Sequence, residues 1–115
     1  VTKDELLQLI QEARTVEAND RIFDYVTTLA EATRTHPMVE LGVSPRGALA
    51  LCRMAKAHAF LAGRDFVVPE DVAAVFPDVC AHRLILSAKA RMMEEKAENI
   101  LAEILKSVDM PVLKA

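Results

Sequence analysis

The sequence predicts an all-α domain: a bundle of five or six helices around one central apolar helix, with at most one tiny β-hairpin. Three observations lead there. Apolar residues recur at helical spacing in successive segments, each bounded by a capping residue or a proline. Hydrophobic residues make up 52% of the 115 and only three are Gly, which argues against disorder and for a packed helical domain. One stretch, residues 45–62, is apolar on nearly every side, as suits the middle of a bundle.

Each element has its own local reason. Thr2 and Glu5 have capping-box spacing, and Leu6, Ile10 and Ala13, broadened by Leu7 and Leu9, form the inner face of a helix over about residues 3–13. The segment Thr15-Val16-Glu17-Ala18 breaks it. Asn19 or Asp20 caps a second helix whose inward stripe is Ile22, Val26, Leu29 and Thr33. Pro37 stops that helix near Thr35, because the residue before a proline is pushed out of the helical region. A third helix runs from Pro45 to about Ala62 and stops at Gly63. Its apolar residues are Ala48, Leu49, Leu51, Cys52, Met54, Ala55, Ala59, Phe60 and Leu61. Arg64–Val68 reads as a short extended segment. Pro69 restarts a helix, with Glu70 and Asp71 matching its dipole. Pro77 should kink or split it. Arg83–Leu86 is a second short strand, able to pair with Phe66–Val68. Ser87 caps a last long helix over about residues 88–108, with Met93, Ala97, Ile100, Leu101, Ile104, Leu105 and Val108 inward, and Pro111 ends it.

Composition also bounds the function. One domain with one core accounts for the length. A net charge of −3 speaks against a nucleic-acid binder. No apolar run is long enough to span a membrane. Cys52 and Cys80, without a secretory signal, read as reduced thiols of a cytoplasmic protein. The chain begins at Val1 with a helix signal at once, which suggests a piece cut from a longer protein. His36, His58 and His82 with the two cysteines lack metal-ligand spacing, so no metal site is expected. Gly42-x4-Gly47 has the glycine spacing of a P-loop. The lysine and hydroxyl that should follow are replaced by Ala48 and Leu49, so it is not a nucleotide site by itself. A helix-turn-helix made of helices two and three is disfavoured by the apolarity of the third and the acidic total.

Ser44-Pro45-Arg46-Gly47 is where the local rules conflict. Ser44 is an N-cap and Pro45 suits the first helical position. Arg46 then puts a cation in the first turn, against the macrodipole, at a cost of about 0.3–1 kcal/mol. A residue that breaks a local rule is a candidate for function. The compensating group is either a surface carboxylate or an external anion held by the guanidinium and the helix terminus together. Arg46, Arg53 and Lys56 form a basic seam along the same helix, which is either a solvated edge or a strip facing a phosphate or an acidic surface.

At these residues the chain resembles a known family. Ala32-Thr33-Arg34, His36-Pro37, Leu41-Gly42-x-Ser44-Pro45-Arg46-Gly47-Ala48-Leu49-Ala50-Leu51, Gly63-Arg64-Asp65-Phe66-Val67 with Pro69-Glu70-Asp71-Val72, and Ala81-His82-Arg83-Leu84 look like the C-terminal lid domain of MoxR-type AAA+ ATPases, relatives of magnesium chelatase ATPase subunits. Residues 1–115 would then be a single lid whose P-loop core lies upstream. The resemblance implies that Arg46 is the sensor 2 arginine, the catalytic residue of the set, with Ser44, Pro45, Arg46 and Gly47 facing the cofactor. The intact protein would use ATP with Mg²⁺; the isolated piece would need neither. Implied partners are the P-loop core, neighbouring subunits of a hexameric ring and von Willebrand factor A-type proteins. Arg46 could act on its own subunit's ATP or a neighbour's. Val68 departs from the family's usual Thr or Ser, which implies a weaker cap on the Pro69 helix. Arg34, His82 and Arg83 match family positions and read best as structural support for the sheet edge or a subunit interface. The rival expectation is a free-standing helical module that binds another protein through Arg46, Arg53 and Lys56.

Overall fold

In the computed structural model, residues 2–111 are described; Val1 and residues 112–115 of the expected 1–115 domain lie outside them. Six helices carry the fold: α1 (Lys3–Arg14), α2 (Asp20–Thr35), α3 (Pro45–Leu61), α4 (Pro69–Cys80), α5 (Ala88–Met92) and α6 (Ala97–Ser107). Two short strands, β1 (Val39–Leu41) and β2 (Ile85–Leu86), and a 3₁₀ turn at Ala81–Arg83 complete it. Four helix starts follow directly from local chemistry. The side-chain oxygens of Thr2, Asn19, Ser44 and Ser87 each accept from the backbone N–H three residues on, all at 3.1 Å.

α2, α3, α4 and α6 share one core. α2 contributes Ile22, Tyr25, Val26 and Leu29, α3 contributes Leu51, Ala55 and Ala59, α4 contributes Val72, Phe76 and Cys80, and α6 contributes Ile100, Leu101 and Ile104. α3 packs most extensively on α4 and also touches α1 and α2, so it is the hub of the bundle. Ala55 and Ala59, both fully buried, let the helices approach closely. The buried face of α3 is nevertheless narrower than its sequence suggests. Leu49 and Met54 are half exposed and Leu61 is 84% exposed, because its neighbours cover one side only.

Other expectations are corrected. α1 forms and is capped, but buries none of its residues; Leu6, Leu7, Leu9 and Ile10 stay 42–52% exposed. Its amphipathic pattern is real, but α3, which touches it, leaves these side chains about half exposed. α4 is not split: it runs as one helix through Pro77 and ends three residues later. The last helix is broken. Glu94 takes a left-handed backbone (φ 57°), and the N–H groups of Glu94 and Glu95 close on the carbonyls of Arg91 and Ala90 at 3.1 and 2.9 Å. This is a Schellman stop with glutamate where glycine is usual. Residues 91–99 bury no side chain, with Met92 86% and Met93 56% exposed, so little packing opposes the break and Met93 is not part of the core. The tiny antiparallel sheet pairs β2 with β1, Val39 opposite Leu86 and Leu41 opposite Ile85, and not with Phe66–Val68. Phe66 is taken instead by the linker after α1: Glu17 N–H donates to Asp65 O at 3.0 Å and Val67 N–H to Glu17 O at 2.8 Å.

Candidate functional site

The start of α3 is held from below by the end of α2. Val43, fully buried, has both backbone groups engaged there. Its N–H donates to Thr33 Oγ1 at 2.9 Å, and its carbonyl accepts from Arg34 Nε at 2.9 Å. The buried Thr33 hydroxyl donates in turn to Ala30 O at 2.6 Å. Gly42 makes the close approach possible. A Cβ there would lie 2.7 and 2.8 Å from the Arg34 backbone N and Cα, closer than atoms pack. Ser44 then caps α3, Pro45 opens it, and Arg46 stands exposed on its first turn.

Among the described residues the ion pairs are His36–Glu103, His58–Asp71 and Arg64–Asp71. Arg46 therefore has no carboxylate partner there, and the reading of a surface ion pair at Arg46 is not met. Gly47 follows, buried. A Cβ on it would lie 2.8 Å from Val43 Cγ1 and 3.1 Å from Arg83 Cδ. Arg83, from the 3₁₀ turn after α4, thus lays its stem across the first turn of α3 and donates Nε to Val79 O at 3.2 Å. So Ser44, Pro45, Arg46 and Gly47 lie together at one helix start, and Arg34 and Arg83, which the sequence left as structural support, flank it. Arg34 anchors this turn through the Val43 carbonyl, a role the sequence did not assign to it. Arg53 is exposed farther along α3, whereas Lys56 turns away to line a groove of about 770 Å³ with Arg14, Thr15 and Phe66. The basic seam is therefore shorter than the sequence suggests.

A second polar cluster was not read from the sequence. Asp71, fully buried at the third position of α4, accepts from Arg64, from His58 Nδ1 at 2.7 Å and from Val68 N–H at 2.8 Å. Burial alone would raise its carboxyl, but the hydrogen bonds from Arg64, Val68 and His58 outweigh that and hold it below the usual range. Val68 offers no side-chain cap, as its identity implies, and the Asp71 carboxylate reaching back to its N–H supplies half a capping box instead. The signal was present in the spacing, since Asp71 stands three residues after the N-cap. Burial raises the thiols of Cys52 and Cys80, and Cys80 is pushed up to about 11 against the opposing pull of Arg83. No group of three His, Cys, Asp or Glu side chains suited to a metal ion occurs among the described residues, and no helix there is long and apolar enough to cross a membrane.

Residues 31–104 match the family described as the AAA lid domain. The chain belongs to that family. The matched span holds Thr33, Arg34, the Ser44–Gly47 turn, Asp71 and Arg83, and leaves α1 outside. The chain is 38% identical over its whole length to the uncharacterized protein YeaC of Bacillus subtilis, covering 36% of that protein. It is 33% identical to the chaperone MoxR1 of Mycobacterium tuberculosis over 96% of this chain and 32% of that one. Against the MoxR protein of Methylorubrum extorquens it is 42% identical over 62% of this chain and 20% of that one. A crystal structure of a Cytophaga hutchinsonii protein assigned as an ATPase superposes with a TM-score of 0.90 at 31% identity, over 97% of this chain and 37% of the other. These relatives make it a lid of the MoxR type. The chain spans about a third of the length of the first of them.

Proposed function

We propose that this lid serves a MoxR-type AAA+ ATPase whose P-loop core lies upstream, and that Arg46 is its sensor 2 arginine. The observation that carries this reading is the exposed, carboxylate-free Arg46 on a helix start that Thr33 and Arg34 hold rigid. Ser44, Pro45 and Gly47 form the turn that presents it. A planar guanidinium can bind two phosphate oxygens at once. Held in place, it costs no reorganisation when charge shifts on the terminal phosphate of ATP bound with Mg²⁺. Movement of the lid would then follow hydrolysis, as a remodelling or chaperone-like cycle requires. The proposed setting is a cytoplasmic ring, a hexamer in this family, with neighbouring subunits and von Willebrand factor A-type proteins as partners.

Arg46→Ala in the intact protein is the test. Turnover should fall about 10³-fold, the scale of an arginine acting on transition-state charge. ATP affinity should fall less, and the melting point should hold. Arg46→Lys should restore only part, because a point charge cannot reproduce a two-pronged contact. If Arg46→Ala subunits regain turnover beside subunits disabled only in the magnesium-holding acidic motif of the core, the arginine acts across the interface. Unchanged turnover with a large loss of stability would make Arg46 a structural residue and end the proposal.

A further inference from the structure

We propose that Arg83 is a second phosphate-facing arginine of this same site, set beside Arg46 by Gly47; the inference rests on the reading of Arg46 above. Three features of the molecule lead to it. First, the Arg83 stem crosses the first turn of α3 in the space that a side chain on residue 47 would fill, since a Cβ there would meet Arg83 Cδ at 3.1 Å. Gly47 is thus a seat for Arg83, immediately next to Arg46 in the chain.

Second, the head of Arg83 is oriented without being used up. Nε is tied to Val79 O at 3.2 Å, which leaves the outer amino groups of the fork free to bind. Arg34 repeats the arrangement at Gly42. Its Cγ lies where a side chain on Gly42 would go, 2.8 Å from that Cβ position, and its Nε is tied to Val43 O.

Third, the charges are not balanced within the domain. The chain has 17 acidic against 14 basic residues, yet among the described residues none of Arg34, Arg46 and Arg83 has a carboxylate at ion-pair distance. The stems of Arg34 and Arg83 reach the helix start that carries Arg46, and cations gathered on one helix start favour a polyanion that can join them. A single carboxylate satisfies one fork. The linked oxygens of a triphosphate can satisfy two, which is the chemistry an arginine pair recognises. Arg34 has its role in bracing Val43, so Arg83 is the partner for Arg46.

The test uses the intact protein and compares Arg83→Gln, Arg83→Lys and Arg46→Ala for binding of ATP, ADP and AMP, for turnover and for melting point. Arg83→Gln keeps the stem over Gly47 and removes the charge. It should weaken ATP about tenfold, the scale of one charge-assisted contact. ADP should weaken less, AMP not at all, and the melting point should stay. Arg83→Lys should recover part of the ATP affinity. Wild-type ATP binding and turnover in Arg83→Gln, beside an impaired Arg46→Ala, overturns this inference and leaves the reading of Arg46 standing. Equal weakening of ATP and AMP, or losses that track a fallen melting point, make Arg83 a packing residue and overturn it as well. If neither variant affects ATP, both readings fall together.

Discussion

α3 and α4 both begin with a proline in the first helical position behind an extended N-cap residue, and their chemistry then diverges. In α4 the next residues are Glu70 and Asp71. Both suit the dipole, and Asp71 folds back on the Val68 N–H while gathering Arg64 and His58. That start is consumed inside the domain. In α3 the same positions hold Arg46 and Gly47. The cation opposes the dipole, and the glycine offers no group to close the turn beyond the cap from Ser44. Its binding capacity points outward. One helix start braces the bundle; the other is left open by the same kind of proline turn, and the third helical residue decides which.

Substitutions should separate the two. The largest effect is the turnover loss of Arg46→Ala described above, with stability preserved. Asp71→Ala should do the reverse. It strands the partly buried Arg64 and costs about 3 kcal/mol, the low end for breaking such a pair since Arg64 is 29% exposed, lowering the melting point by about 10 °C. Calorimetry of the purified chain checks it; a shift under 2 °C would show the cluster to be ornamental.

The glycines sharpen the contrast next. Gly42→Ala drives a Cβ into Arg34 backbone and should cost about 2 kcal/mol. Gly47→Ala meets side chains rather than backbone, the buried Val43 and the stem of Arg83, and gains helix propensity, so its cost should be about 1 kcal/mol. Urea midpoints rank the two, and the reverse order would contradict the packing described.

Acid pH offers a further separation. The folded carboxyl of Asp71 is held below its unfolded range, so the unfolded chain takes up the proton first as pH falls. Its stabilising contribution is present above about pH 4 and is lost below, as the folded group titrates. Asp71→Asn should flatten the acid limb of the stability curve, whereas Arg46→Ala should leave it unchanged. The smallest effect is that of Arg46→Ala on stability itself, a gain of about 0.3–1 kcal/mol from removing a cation from the first turn. A loss of several kcal/mol would mean that Arg46 has an internal partner.

The side-chain caps at Thr2, Asn19, Ser44 and Ser87, the helix-starting Pro45 and Pro69 and the stripe of α2 were legible because they act within three or four residues, where backbone geometry alone decides which groups meet. Ser44, Pro45 and the misfit of Arg46 belong to that set, so the candidate site could be found from the chain. The pairing of β2 with β1, the bare face of α1 and the break at Glu94 could not. Each depends on whether a distant element arrives to cover or oppose a segment, and amphipathic spacing is the same for a buried stripe and an uncovered one. The arginines that flank the site show the limit most clearly. In the chain Arg34 and Arg83 lie 12 residues before and 37 residues after Arg46. Only the packing of α2 and α4 against α3, with glycine at 42 and 47 to admit their stems, brings them to one turn.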